Sequence, residues 1–126
     1  MSDKKIIILS TLEDIIFSLE LIQKRFEGIE NADNFLVDEE GLEKLDSISM
    51  RLIAIGEGFK NIDKLTKKEL LKNYPNINWK GVKGVRDILS HHYFQLDSET
   101  IFEICANNIE ELLETTKKIK ESIEKL

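Results

Sequence analysis

Cysteine, proline and histidine are nearly missing from this sequence: one, one and two in 126 residues. A single cysteine, Cys105, excludes an internal disulfide, and its place in a helical pattern suits a buried structural thiol in a reducing cytoplasm. A single proline leaves long stretches free to be helical, and helix-favouring Leu, Ile, Glu and Lys dominate, which favours an all-α fold. Long apolar runs are absent too. Ile6-Ile7-Ile8-Leu9 near the start is too short for a signal-peptide core and far too short to span a bilayer. No membrane or export role is expected, and the predicted location is the cytoplasm.

What is present describes one globular domain over residues 1–126, with 41% apolar and 33% charged residues. The formal charge of −6 argues against indiscriminate binding to nucleic acid, yet it is unevenly spread. Residues 60–93 hold eight basic side chains (Lys60, Lys64, Lys67, Lys68, Lys72, Lys80, Lys83, Arg86) against three acidic ones (Asp63, Glu69, Asp87), a local +5 in a chain that is otherwise −11. Such a cluster is a solvated face or a surface that meets phosphate.

Periodicity predicts five helices. The first carries Leu12, Ile15, Ile16, Leu19, Ile22 and Phe26 at helical spacing and starts either at the capping box Ser10–Glu13 or near Asp3. The second carries Leu42, Leu45, Ile48, Leu52, Ile55 and Phe59 behind an Asp38 cap. Inside it Gly56-Glu57-Gly58 is no phosphate loop, since no strand precedes it and no Lys-Ser/Thr pair follows; close helix packing explains the glycines. A short third helix is predicted from a Thr66 cap to Pro75, a fourth from Asn78 or Trp79, and a last from Asp97 or Ser98 with Ile101, Ile104, Cys105, Ile109, Leu112, Leu113, Ile119 and Ile123 inward. The expected architecture is an antiparallel bundle of four to five helices.

Both histidines fall in one stretch, "RDILSHHY", Arg86 to Tyr93. If the fourth helix runs on through it, a wheel with Val82 at zero puts Val85, Ile88, Leu89 and His92 on the apolar arc. Arg86 and Tyr93 share one edge of that arc and His91 points away. Spacing alone leaves three readings open: Arg86 in a surface salt bridge with His91 exposed, a phosphate site completed by a second copy of the helix across a symmetry axis, or a helix that loosens near Ser90 so that His91 swings round. Two neighbouring histidines diverge on a helix and no other Cys or His completes a ligand set, so neither a metal nor a cofactor is expected. Ser90 as a nucleophile lacks an orienting acid at recognisable spacing.

The stretch resembles the Arg-x4-His-x-Tyr signature of the HEPN superfamily, in particular its HepT-like toxins. The resemblance extends to "MRLIAIGEGFKNI", similar to the family's second long helix with an Ile-Gly-Glu core, and to "YPNINWKGVKGVRDILSHHYFQLD", similar to its Pro-x-Ile-x-Trp lead and tail. It covers roughly Leu42 to Asp97. The resemblance implies a HEPN-like helical fold and a metal-independent ribonuclease site of Arg86 and His91 at a homodimer interface. An x5 count would select His92 instead. It also implies that Tyr93 is the target of AMPylation by a partner nucleotidyltransferase antitoxin of the MNT type. Glu57, Ser90, His92 and Asp87, the last a carboxylate directly beside Arg86, are the possible supporting residues.

The chemistry suits these types. Cutting RNA without a metal needs a base for the 2′-hydroxyl, an acid for the leaving oxygen and positive charge at the phosphorane-like transition state. Histidine serves the first two near neutral pH, and arginine offers phosphate a permanently charged planar fork. The alternative expectation is a non-catalytic subunit that pairs with a nucleotidyltransferase and presents a nucleotide or other substrate, and a third is a helical dimer acting only through protein contacts.

Overall fold

The computed structural model describes residues 2–89 and 97–126. Helix α1 spans Asp3–Phe26 and α2 Glu39–Leu65. Two short helices follow, α3 (Trp79–Lys83) and α4 (Val85–Leu89), then α5 (Ser98–Asn107) and α6 (Ile109–Glu124). Single 3-10 turns lie at Ala32–Phe35 and Leu71–Asn73. The all-α bundle is borne out, with six helices among the described residues, none long and apolar enough to cross a membrane.

Side-chain pairings fix the directions. Gly58 packs on Thr11 and Ile15, Arg51 donates to Ser18 Oγ at 3.2 Å, and Lys44 donates to the Glu27 carbonyl at 3.1 Å, so α2 runs antiparallel to α1. On α1's other flank Lys120 pairs with Glu13 and Lys5 Nζ donates to the Leu126 carbonyl, which makes α6 antiparallel as well. The core lies between these three: Leu12, Leu19, Ile22, Ile48, Phe59, Ile62 and Ile119 are fully buried. Burying such side chains is worth roughly 1.5–3 kcal/mol each before entropy is counted.

Local chemistry decides where the helices begin and end. Ser2 caps α1 by accepting from Lys5 N, and Thr11 Oγ1 donates to the Ile7 carbonyl inside the helix, so the start is the Asp3 one and Ser10 is interior. Asp38 caps α2 as predicted, accepting from Gly41 N at 2.7 Å. Four expectations need correction. Leu42 is exposed, since the α2 stripe begins at Leu45. The third helix is only a 3-10 turn: Thr66 closes α2 as its C-cap, and the following Lys67 and Lys68 take φ of 53° and 63°, which no right-handed helix accommodates. The fourth helix is broken at Gly84, which ends α3 by donating to the Lys80 carbonyl. The last is divided at Asn108, where two successive asparagines, poor helix formers, interrupt the pattern. Asp97 caps α5, accepting from Thr100 N.

The break at Gly84 also separates Val82, in α3, from the start of the motif in α4. Val85 and Leu89 are buried, as expected, while Ile88 is 47% exposed and lines the wall of an open apolar groove with Val82 and Val85. Ser90, His91, His92 and Tyr93 lie outside the described residues.

Candidate functional site

One stripe of α2 receives α3 and α4. Gly56 is buried, and a β-carbon there would stand 2.6 Å from the Val82 carbonyl oxygen and 3.3 Å from Val85 Cγ1, so only glycine lets this backbone lie so close. Three residues on, Phe59 packs against Trp79 with ring centroids 4.8 Å apart, and the Trp79 indole N–H donates to the Tyr74 carbonyl at 2.9 Å. Four further on, buried Asp63 forms an ion pair with half-buried Lys83. Positions 56, 59 and 63 are i, i+3 and i+7 on one face, and together they seat the whole of α3.

Glu57 is one step round the helix from Gly56 and is therefore delivered to the edge of α4. There its Oε1 lies 3.4 Å from Arg86 Nε, while its Oε2 lies 3.2 Å from Lys60 Nζ. Arg86 is more than half exposed, and among the described residues no other group pairs with its guanidinium. Contact through Nε leaves the two terminal nitrogens to act as a fork toward an incoming anion. The carboxylate nearest Arg86 is thus Glu57, a tertiary neighbour, and not the sequence neighbour Asp87, which is exposed and forms no ion pair among the described residues. One carboxylate, Glu57, is thus shared between two cations, Lys60 and Arg86.

The arrangement unites two of the predicted site residues, Glu57 and Arg86. His91, Tyr93, His92 and Ser90 lie outside the described residues, so their relation to that pair is not part of this geometry. Sequence reading missed two partners, Lys60 and the Asp63–Lys83 pair. The i, i+3 spacing of Glu57 and Lys60 was a usable signal, whereas Asp63 and Lys83 meet only through the turn between α2 and α3.

An apolar groove lies beside this site. It has a volume of about 270 Å³ and is lined by Leu52, Ile55, Val82, Val85, Ile88 and Leu112 among others, with neither Glu57 nor Arg86 in its wall. The charged pair therefore sits on an open surface, where an extended polymer can reach it. Among the described residues no three His, Cys, Asp or Glu side chains gather so as to hold a metal ion. Cys105 is half-buried on α5, and burial pushes its thiol from 9.0 up to about 12.

The chain matches the family described as "Ribonuclease HepT-like" over residues 15–119, from the middle of α1 into α6. Similar proteins include "Putative RNase MJ0127" of Methanocaldococcus jannaschii, 32% identical over 92 residues that cover 73% of this chain and 70% of that one. "Putative RNase TTE0752" of Caldanaerobacter subterraneus subsp. tengcongensis is 32% identical over 114 residues, 90% of this chain and 92% of that one. "Putative RNase MJ1216", again of M. jannaschii, is 37% identical over 73 residues, 58% and 57% of the two chains. No solved structure matches the chain at a significant level.

Proposed function

The chain belongs to the HepT-like ribonuclease family, and on that premise we propose that it is a metal-independent endoribonuclease, the toxin of a toxin–antitoxin module. The chain acts as one domain over residues 1–126 in the cytoplasm and works as a homodimer. Arg86 and His91 are the catalytic residues, contributed by both copies to a shared site. His91 of one copy takes the proton from the 2′-hydroxyl, and that of the other returns a proton to the leaving 5′-oxygen. Arg86 balances the charge that builds on the phosphorane-like centre. The O2′–P bond forms as the P–O5′ bond breaks, which yields a 2′,3′-cyclic phosphate and a 5′-hydroxyl. A nucleotidyltransferase antitoxin silences the site by AMPylation of Tyr93.

The observation that carries this reading is the state of Arg86: exposed, held on its Nε side by Glu57, and otherwise without a partner among the described residues. A guanidinium placed only for stability gains little in so open a position. One held from behind with its fork outward suits phosphate.

The test is cleavage of a single-stranded RNA by the purified chain in excess EDTA. Cyclic-phosphate products that vanish with Arg86→Ala and with His91→Ala are expected, with light scattering giving about twice the chain mass. Wild-type protein that leaves RNA intact refutes the nuclease, and a strictly monomeric protein with full activity refutes the shared site.

A further inference from the structure

The stripe that begins at Arg86 does not stop at Lys60. On α2, Glu57, Lys60 and Lys64 are i, i+3 and i+7, and at 1.5 Å per residue they extend over roughly 10 Å of one face. Lys67 and Lys68 then carry positive charge past the helix end. Lys60 is engaged by Glu57, but Lys64, Lys67 and Lys68 are exposed and form no ion pair among the described residues.

A lysine in the last turn is accounted for by the helix dipole, which favours cations there. That explains Lys64 alone. Lys67 and Lys68 lie beyond the helix, in the left-handed region, with φ of 53° and 63°. The Lys68 N–H donates to the Asp63 carbonyl at 2.8 Å and closes the helix end in the way that ordinarily places glycine after the cap. Two consecutive residues with β-carbons occupy a turn for which glycine is cheaper, and both are lysine. Strain kept at such a position points to a use for the side chains.

We propose that Lys64, Lys67 and Lys68 form a phosphate track that leads a single-stranded RNA along the C-terminal half of α2 to Arg86. The proposal rests on the nuclease reading for its destination, while binding itself does not require cleavage. It also answers a difficulty set by the whole chain, whose charge of −6 repels a polyanion, so that recruitment must be local. Groove-like basic surfaces that follow the backbone need no base contacts, so the track discriminates little among sequences.

The experiment measures binding by fluorescence anisotropy, with a labelled single-stranded oligoribonucleotide carrying 2′-O-methyl riboses, which cannot be cut through the 2′-oxygen. The full chain is titrated across a range of KCl. The variant Lys64→Gln/Lys67→Gly/Lys68→Gly removes three charges while relieving the turn, and should melt no earlier than the wild type. Its control, Lys4→Gln/Lys24→Gln/Lys118→Gln, removes three exposed lysines from α1 and α6, so the two carry the same net charge. The slope of log affinity against log salt should fall by about 2 in the first, at about 0.7 for each phosphate that is no longer neutralised, and by less than half as much in the control.

An unchanged slope in the first variant, equal losses in both variants, or a wild type that does not bind the strand each overturns the track. An unchanged slope would mean that these lysines do not meet RNA phosphate. Cleavage of the unmodified strand, followed in parallel, separates the two ideas. A wild type that binds with the expected slope yet never cuts would end the nuclease reading and leave the track standing.

Discussion

A β-carbon on Gly56 would stand 2.6 Å from the Val82 carbonyl oxygen, whereas one on Gly58 would meet only side chains of α1, the closest being Ile15 Cδ1 at 3.0 Å. The first obstacle is backbone and cannot yield without moving α3. The second is the end of a flexible side chain. Gly56→Ala should therefore destabilise the protein by about 1–3 kcal/mol through overpacking. Gly58→Ala should be close to neutral, because replacing a helical glycine returns up to about 1 kcal/mol. Urea denaturation of the two variants checks the contrast, and equal losses would remove the distinction between the two glycines.

Arg86 and Lys83 should separate activity from stability. Arg86→Ala breaks an exposed pair, so its stability should stay within about 0.5 kcal/mol of wild type. RNA cleavage should be lost. Lys83→Ala strands the buried Asp63 carboxylate and should cost about 1–3 kcal/mol, with cleavage reduced only as far as the folded fraction falls. Melting curves and initial rates on the same preparations decide it.

Under the proposed function, Glu57 positions Arg86 through the ion pair at 3.4 Å. Glu57→Gln keeps the shape but removes a negative charge beside the guanidinium. RNA should bind more tightly, lowering KM, while kcat falls because Arg86 is held less firmly. A variant with lower kcat and unchanged KM would assign Glu57 to the chemistry itself.

Periodicity was enough for the bundle because α1, α2 and α6 keep one apolar face over many turns, as Leu12, Ile15, Leu19 and Ile22 do. It misled where a single residue overrides the pattern. Lys67 and Lys68 look like helix formers and sit at positive φ, since the end of α2 demands a turn that local propensity does not reveal. Gly84 splits the predicted fourth helix into two short ones, and Ile88, at the margin of the apolar arc, is left 47% exposed in the wall of the groove. At the site, Arg86 and Glu57 were both picked out, Arg86 by family resemblance, but their pairing is tertiary. It follows from Gly56 admitting the Val82 backbone, a closeness no linear pattern encodes.

Cys105 offers a prediction with a defined sign. Burial raises its thiol from 9.0 to about 12, so the folded chain keeps its proton where the unfolded chain has lost it. The resulting stability is fully present below about pH 9 and is lost as pH rises toward 12. The stability difference between wild type and Cys105→Ala should shrink between pH 8 and pH 10.5, lysine titration being common to both. At pH 8 the native thiol should react with iodoacetamide far more slowly than the unfolded one. Equal rates would show an accessible thiolate.

The last prediction concerns Tyr93, seven residues past Arg86 in the family-like stretch. An adenylate on its hydroxyl would add a phosphodiester charge and a nucleoside to the site. It would then compete with the RNA phosphate for the Arg86 fork, which Glu57 leaves outward. Inhibition should follow without unfolding. Incubation with a cognate nucleotidyltransferase, ATP and magnesium should raise the chain mass by one or more adenylate units located on Tyr93. The modified protein should keep its melting temperature and lose cleavage, and its affinity for the 2′-O-methyl strand should fall. Tyr93→Phe should keep most of its cleavage and escape the partner. If the modified chain cuts as fast as the unmodified one, or if Tyr93→Phe is inhibited equally, the antitoxin acts through some surface other than this tyrosine.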